Sequence, residues 1–250
     1  MNAPAWLTAR PIAHRGLHDR ATGIIENTLS AAEAAITGGF GIECDVQDTA
    51  DGEAMVFHDH TLDRLTDDTG AVRHRTAAEL TRVALAATQD RIPTLQAFLD
   101  RVAGRVAVIV EIKSRFDGDM GLTRRTAEIA SRYDGPLALK SFDPRIVATL
   151  RQLAPDLPRG IVAEASYEDR EYDALSAQTK REMANLLHLP HTEPDFVSWR
   201  VGDLPLAAPF LCRHLGRMPV MTWTVRTEDD RRRAAAHTDQ MVFEGFRPDL

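Results

Sequence analysis

The segment Val106-Ala107-Val108-Ile109-Val110-Glu111-Ile112-Lys113 constrains this chain more than any other. Five apolar residues run unbroken into a glutamate and a lysine. Such a run suits a strand covered on both faces, as in a parallel sheet packed between helices. Further strand candidates lie at 12–14, 40–46, 54–57, 137–140, 160–163, 196–199, 219–225 and 240–243. Between them, periodic apolar patterns predict helices over 29–37, 93–102, 121–133, 144–153, 170–187, 204–215 and 228–236. Asn27 or Thr28 supplies the cap of the first, and Gly38-Gly39 ends it. Strands alternating with helices through short connections indicate an α/β chain with right-handed crossovers. Their number favours a (β/α)8 TIM barrel over an open doubly wound sheet. One candidate is surplus to an eight-stranded ring, either 54–57 or 240–243.

The chain has 250 residues, 44% of them hydrophobic, which permits one large core. We therefore expect a single domain over 1–250. The stretch 59–92 is less regular, with turns such as Asp67-Asp68-Thr69-Gly70 and a short helix near 76–80. It reads as a small insertion after the third strand, with too few apolar residues for a core of its own. The formal net charge of −7 gives no electrostatic reason to bind nucleic acid or an anionic membrane. Arginines 231–233 read as a solvated helix face. Cys44 and Cys212 are too few for a disulfide framework or a cysteine zinc site, and Cys44 is expected to be a buried thiol. No window approaches the roughly 20 apolar residues of a membrane span, so no stable membrane insertion and a cytoplasmic location are expected. There is no GxGxxG after the first strand and no GxxxxGK[ST], so the common nucleotide-binding cues are missing. Nothing in the sequence sets an oligomeric state.

Polar residues gather where the predicted strands end, and barrels of this class carry their chemistry at those ends. His14-Arg15-Gly16 closes the first strand and suggests a site for an anion. Glu43 and Asp45 close the second, His58-Asp59 follow the third candidate, and Glu111 and Lys113 close the fourth. Side chains two apart in a strand share a face. Glu43 therefore points with Asp45, and Glu111 with Lys113. Each pair alone is an ordinary polar rim; one architecture bringing all of them to one mouth makes a site. Three carboxylates there would repel one another unless a cation neutralised them, and their oxygens suit Mg²⁺ or Ca²⁺ ahead of Zn²⁺. Two imidazoles, an arginine, a lysine and a divalent ion suit phosphoryl chemistry: cations stabilise developing charge while one imidazole takes a proton and the other gives one. On this reading, Glu111→Gln should harm metal binding and activity more than folding, because it relieves carboxylate repulsion.

At this point the residues resemble those of a known family, the glycerophosphodiester phosphodiesterases. His14-Arg15-Gly16, Glu26-Asn27-Thr28, Gly41-Ile42-Glu43-Cys44-Asp45-Val46, His58-Asp59, Ile92-Pro93-Thr94-Leu95 and Glu111-Ile112-Lys113 occur in the family's order. Ser141-Phe142-Asp143 and Trp223-Thr224-Val225 are similar to its later blocks. The resemblance implies a TIM barrel and a small-molecule glycerophosphodiester substrate. It implies His14 and His58 as the acid–base pair and Glu43, Asp45 and Glu111 as ligands of a divalent metal ion, Mg or Ca. Arg15 and Lys113 would contact the phosphate, Trp223 would pack against the glycerol or alcohol portion, and Glu26 and Asn27 would support the first histidine and the metal region. The implied reaction is in-line attack of the glycerol 2-hydroxyl on phosphorus, expelling the alcohol through a cyclic phosphate that water opens to sn-glycerol 3-phosphate.

Two departures bear on the substrate. Many relatives carry a Gly-Val-Asp-Gly stretch ending in Thr-Asp, where this chain reads His237-Thr238-Asp239-Gln240-Met241-Val242-Phe243-Glu244. Lys140 precedes Ser141 and bears on the substrate pocket. A lysophospholipase D-like or other phosphodiesterase is the alternative. A long apolar substrate would need a groove, for which Phe116, Met120, Phe142 and Trp199 are the candidates.

Overall fold

A computed structural model describes residues 3–86 and 88–250. The run at 106–113 becomes β4 (Val108–Ile112), buried along its whole length. Its neighbours are β2 (Gly41–Asp48) and β5 (Leu137–Ser141), both parallel to it. Beyond β5 follow β6 (Arg159–Ala163), β7 (Phe196–Arg200), β8 (Val220–Val225) and β9 (Gln240–Phe243). The two-residue β1 (Ile12–Ala13) pairs with both β9 and β2, which closes eight parallel strands into a barrel. The surplus strand is β3 (Ala54–Val56), which lies antiparallel against the outer end of β2. Only residues 49–53 separate it from β2. A turn that short makes a hairpin and cannot make the crossover of a dozen or more residues that a parallel partner needs.

Helices ring the barrel: α1 (Leu29–Thr37), α2 (Ala77–Leu80), α3 (Leu95–Val102), α4 (Gly121–Ala130), α5 (Pro144–Leu153), α6 (Ala177–Ala184), α7 (Leu189–Thr192), α8 (Ala207–His214) and α9 (Glu228–His237). Thr28, not Asn27, caps α1, its hydroxyl accepting from Ala31 N–H at 3.1 Å. The helix expected from Pro93 starts two residues later, with Thr94 as its cap. The helix expected over 170–187 is broken. A 3-10 turn at Arg170–Tyr172 comes first, and α6 begins where Ser176 caps the Thr179 amide. Local capping oxygens thus move boundaries that apolar spacing alone cannot fix. The arginines on α9 pair in part with its own acids, Arg231 with Glu228 and Arg232 with Asp229.

Strand alternation sorts the core into two layers. Val108, Val110 and Ile112 of β4, with Cys44 of β2, face outward against α1, α3 and α4. Ile109 faces inward with Leu7, Ile12, Ala138, Phe196, Met221 and Val242, so the barrel is a packed core, not a pore. The inward row of β4 continues as Glu111 and Lys113, which places both at the mouth. Gly160 on β6 leaves the space that the Phe196 ring fills: a Cβ there would stand 2.3 Å from two ring carbons. Gly160→Ala is expected to lower stability by about 1–3 kcal/mol through overpacking, measured by denaturant unfolding. An unchanged midpoint would show that the ring can shift at no cost.

The 59–92 segment packs beside the barrel rather than folding alone. Leu62, Leu65, Val72, Leu80, Leu85 and Ile92 share one apolar cluster with Ile25, Met55 and Phe57. This insertion therefore shares a cluster in which three of the nine buried residues come from outside it, as its composition requires.

Candidate active site

β1 is too short to carry much burial, and its C-terminal end is defined by backbone contacts. His14 N–H donates to Phe243 O at 2.9 Å, and Gly16 N–H to Glu43 O at 3.1 Å. Gly16 has φ +79°, and a Cβ there would stand 2.8 Å from Ala31 Cβ on α1. Both the conformation and the close approach require glycine. Arg15 and Asn27 also take left-handed conformations, with φ 56° and 58°. Strain of this kind persists only where surrounding bonds over-determine it, and both residues bond the carboxylates of β2.

The carboxylates of Glu43, Asp45 and Glu111 meet at the centre of the mouth, all buried, with one oxygen from each within 4.8 Å of the others. That spacing and the hard oxygen donors fit one Mg²⁺ or Ca²⁺, whose remaining positions water or substrate oxygens would fill. Lys113 Nζ lies 2.8 Å from Asp45 Oδ1 and 2.5 Å from Glu111 Oε1. Lys140 Nζ lies 2.9 Å from Glu43 Oε1 and 3.1 Å from Glu111 Oε2. Asn27 donates its amide to Asp45 Oδ2 at 2.9 Å and accepts from Asp45 N–H at 3.2 Å. Arg15 N–H donates to Glu43 Oε2 at 3.1 Å. Burial pushes Glu111 up, but Lys113 and Lys140 pull it to about 2. Burial likewise opposes the Asp45 charge, yet Lys113, the histidines and Arg15 hold it well below the carboxylate range. The expectation that Glu111→Gln largely spares folding is therefore revised. The carboxylate repulsion is already relieved by two ammonium groups, the partly buried Lys113 and the buried Lys140, so removing a charge unbalances the ring instead.

Both histidines line the mouth, and each is tied by Nδ1 to a carboxylate. His14 Nδ1 is 2.8 Å from Glu244 Oε2, and His58 Nδ1 is 2.7 Å from Asp59 Oδ1. Each carboxylate has an arginine behind it. Arg226 donates to Glu244 at 2.8 Å, and Arg64 Nε to Asp59 at 2.5 Å. A carboxylate on Nδ1 fixes the ring and the tautomer, leaving Nε2 for proton transfer. Glu26 accepts from Arg15 at 2.6 Å and from Arg64 at 2.7 and 2.9 Å. It therefore holds the guanidinium of Arg15 rather than His14, and its link to a histidine runs through Arg64 and Asp59 to His58.

Burial raises Glu26, but the Arg64 and Arg15 contacts bring it down from 4.5 to about 2. Burial raises Glu244 too, and the bonds from His14 and Arg226 bring it to about 2. A carboxylate depressed in the folded state contributes stability that is complete above its unfolded value and lost as pH falls through its folded one. The melting temperature is thus expected to fall between pH 4.5 and 2. Glu26→Gln, which removes one such group, is expected to flatten that fall. An identical acid profile for parent and variant would contradict the assignment.

A cavity of about 580 Å³ joins His14, Arg15, His58, Asp45 and Glu111 to an outer wall. That wall includes Phe116, Phe142, Tyr172, Trp223, Glu164, Asp169 and Glu171. Trp223 donates its indole N–H to Ser198 O at 3.0 Å and meets Phe142 edge-on at 5.4 Å. Of the four residues weighed for an apolar groove, only Phe116 and Phe142 reach this cavity. Trp199 is fully buried in the barrel's outer core, and Met120 packs against the helix-side cluster, because strand parity and helix phase turn them away from the mouth. Glu244, Arg64 and Glu164 carry site contacts that the sequence did not reveal. Glu244 did offer a signal, as the first charge after an apolar strand run, the same signal that marks His14-Arg15.

The glycerophosphoryl diester phosphodiesterase family model matches residues 14–243 of this chain. The chain belongs to that family. A glycerophosphodiester phosphodiesterase of Caldanaerobacter subterraneus is 29% identical over 174 residues, 66% of this chain and 70% of that protein. Two solved structures share the fold. A phosphodiesterase from Oleispira antarctica, in complex with the product sn-glycerol-3-phosphate, superposes with TM-score 0.74 at 22% identity, covering 93% of this chain and 91% of that one. A glycerophosphodiester phosphodiesterase from Thermotoga maritima gives 0.70 at 23% identity, covering 93% and 92%. Membership makes the chain a phosphoric diester hydrolase acting on a small molecule. Among the described residues, no helix is long and apolar enough to cross a membrane.

Proposed function

We propose that this glycerophosphodiester phosphodiesterase releases sn-glycerol 3-phosphate from glycerophosphodiesters of small polar alcohols, with His14 and His58 moving the protons. One observation carries the reading: two carboxylate-anchored imidazoles line a single cavity with Asp45 and Glu111, two of three convergent carboxylates. A divalent ion held by Glu43, Asp45 and Glu111 would supply Lewis-acid stabilisation of charge developing on the phosphoryl oxygens. Arg15 and Lys113, which line the same cavity, hold and orient the phosphate. Glu26 and Asn27 fix Arg15 and Asp45 in turn. One histidine takes the proton of the glycerol 2-hydroxyl as it attacks phosphorus, and the other protonates the departing alcohol. The roles then exchange as water opens the cyclic phosphate.

The outer wall favours a polar alcohol over an acyl chain, since Glu164, Asp169 and Glu171 interrupt its aromatic surface. Trp223 and Phe142, which line the cavity, cover the organic part of the substrate in this reading. A panel comparing glycerophosphocholine, glycerophosphoethanolamine and lysophosphatidylcholine tests this, with product followed by phosphorus NMR. The expected result is faster turnover of the two water-soluble diesters, with a transient five-membered cyclic phosphate. Preference for lysophosphatidylcholine would favour the lysophospholipase D-like alternative, and direct transfer to water with no cyclic species would remove the attack by the 2-hydroxyl.

A further inference from the structure

Lys140 sits where the sequence suggested only a pocket adjustment, and the geometry gives it another task. Its side chain is 3% exposed and lies on β5, with Nζ between Glu43 Oε1 at 2.9 Å and Glu111 Oε2 at 3.1 Å. Every oxygen of the three ring carboxylates already has a partner. Lys140 takes Glu43 Oε1 and Glu111 Oε2. Lys113 takes Glu111 Oε1 and Asp45 Oδ1. The Arg15 amide takes Glu43 Oε2, and Asn27 takes Asp45 Oδ2. A divalent ion entering this ring therefore meets two ammonium groups on the oxygens it needs. The two lysines are not equivalent. Both line the cavity, but Lys113 is 16% exposed and has solvent to move into, whereas Lys140 is 3% exposed and is held more deeply among the carboxylates.

We infer that Lys140 is a resident counter-cation of the carboxylate ring, holding Glu43 and Glu111 in place when no divalent ion is bound and weakening the ring's affinity for one. The inference rests on the divalent-ion reading above. Two opposed effects follow from one charge. Without an ion, the ammonium offsets the repulsion between buried carboxylates. With an ion bound, the same ammonium stands beside a double positive charge at a distance where repulsion is strong.

The test uses the full chain at one fixed pH, titrated calorimetrically with Ca²⁺ and with Mg²⁺, and melted in chelator and in excess Ca²⁺. Lys140→Gln is expected to bind the ion on the order of tenfold or more tightly than the parent. Its melting temperature is expected to drop in chelator and to recover in Ca²⁺, widening the gap between the two conditions. Lys140→Arg, which keeps the charge, is expected to stay near the parent in affinity. Equal or weaker ion binding by Lys140→Gln would overturn the inference, as would a Lys140→Arg variant that matches Lys140→Gln. If Lys140→Gln folds only with Ca²⁺ present, that recovery itself supports the role. If the parent binds no divalent ion, the metal reading falls by itself. Lys140→Gln then decides the inference separately, in favour if it gains binding and against if it does not.

Discussion

His58→Ala is expected to lower kcat on glycerophosphocholine about 10²–10⁴-fold while leaving the melting temperature near the parent's. On the proposed mechanism, the chemical loss follows from removing one of two proton carriers in a step that uses both. The small folding effect follows from the surroundings of the ring. His58 is partly exposed, and among the described residues its side chain bonds only Asp59 Oδ1, which Arg64 continues to hold. Steady-state rates and a thermal melt measured on one preparation separate the two. A rate within a few fold of the parent would remove His58 from the proton path. His14→Ala is expected to behave alike in rate, with Glu244 retained by Arg226.

Glu111→Gln carries the second large effect, and here it falls on folding as well as on chemistry. Glu111 bridges two ammonium groups, Lys113 at 2.5 Å and Lys140 at 3.1 Å. Neutralising it leaves the buried Lys140 and the partly buried Lys113 with one carboxylate fewer between them. Removing one partner from a buried ion network costs about 3–5 kcal/mol. Denaturant unfolding in chelator is expected to show a loss of that order, and calorimetry a large loss of Ca²⁺ affinity. A midpoint equal to the parent's would mean that the ammonium groups find other partners. Unchanged Ca²⁺ affinity would take Glu111 out of the ion site.

Much of this site is legible in the sequence, and the reason is strand geometry. The alternation in Glu43-Cys44-Asp45 and Glu111-Ile112-Lys113 forces the charged members onto the inner face, because the intervening Cys44 and Ile112 are taken by the helix layer. The end of β1 is legible for a related reason: a short apolar run must stop somewhere, and its first polar residues then stand at the mouth. What the sequence does not show is partnership across distant strands. Glu244 reaches His14 from 230 residues away, and Lys140 reaches Glu43 from the second strand over. Such pairs exist only once the strands are assembled side by side. The helix boundaries at 170–187 and the insertion's dependence on Met55 and Phe57 are hidden likewise, since each is settled by a local cap or by packing rather than by periodicity.

The carboxylate ring and the two histidines make one claim together, and release of sn-glycerol 3-phosphate from glycerophosphocholine tests it most directly. The parent is assayed with excess Mg²⁺ or Ca²⁺, then with a chelator, then with the ion restored. Product is expected with either or both ions, to disappear in chelator and to return on adding the ion back, with Glu43→Gln inactive throughout. Undiminished product in chelator, with Glu43→Gln as active as the parent, would contradict a divalent ion at this ring.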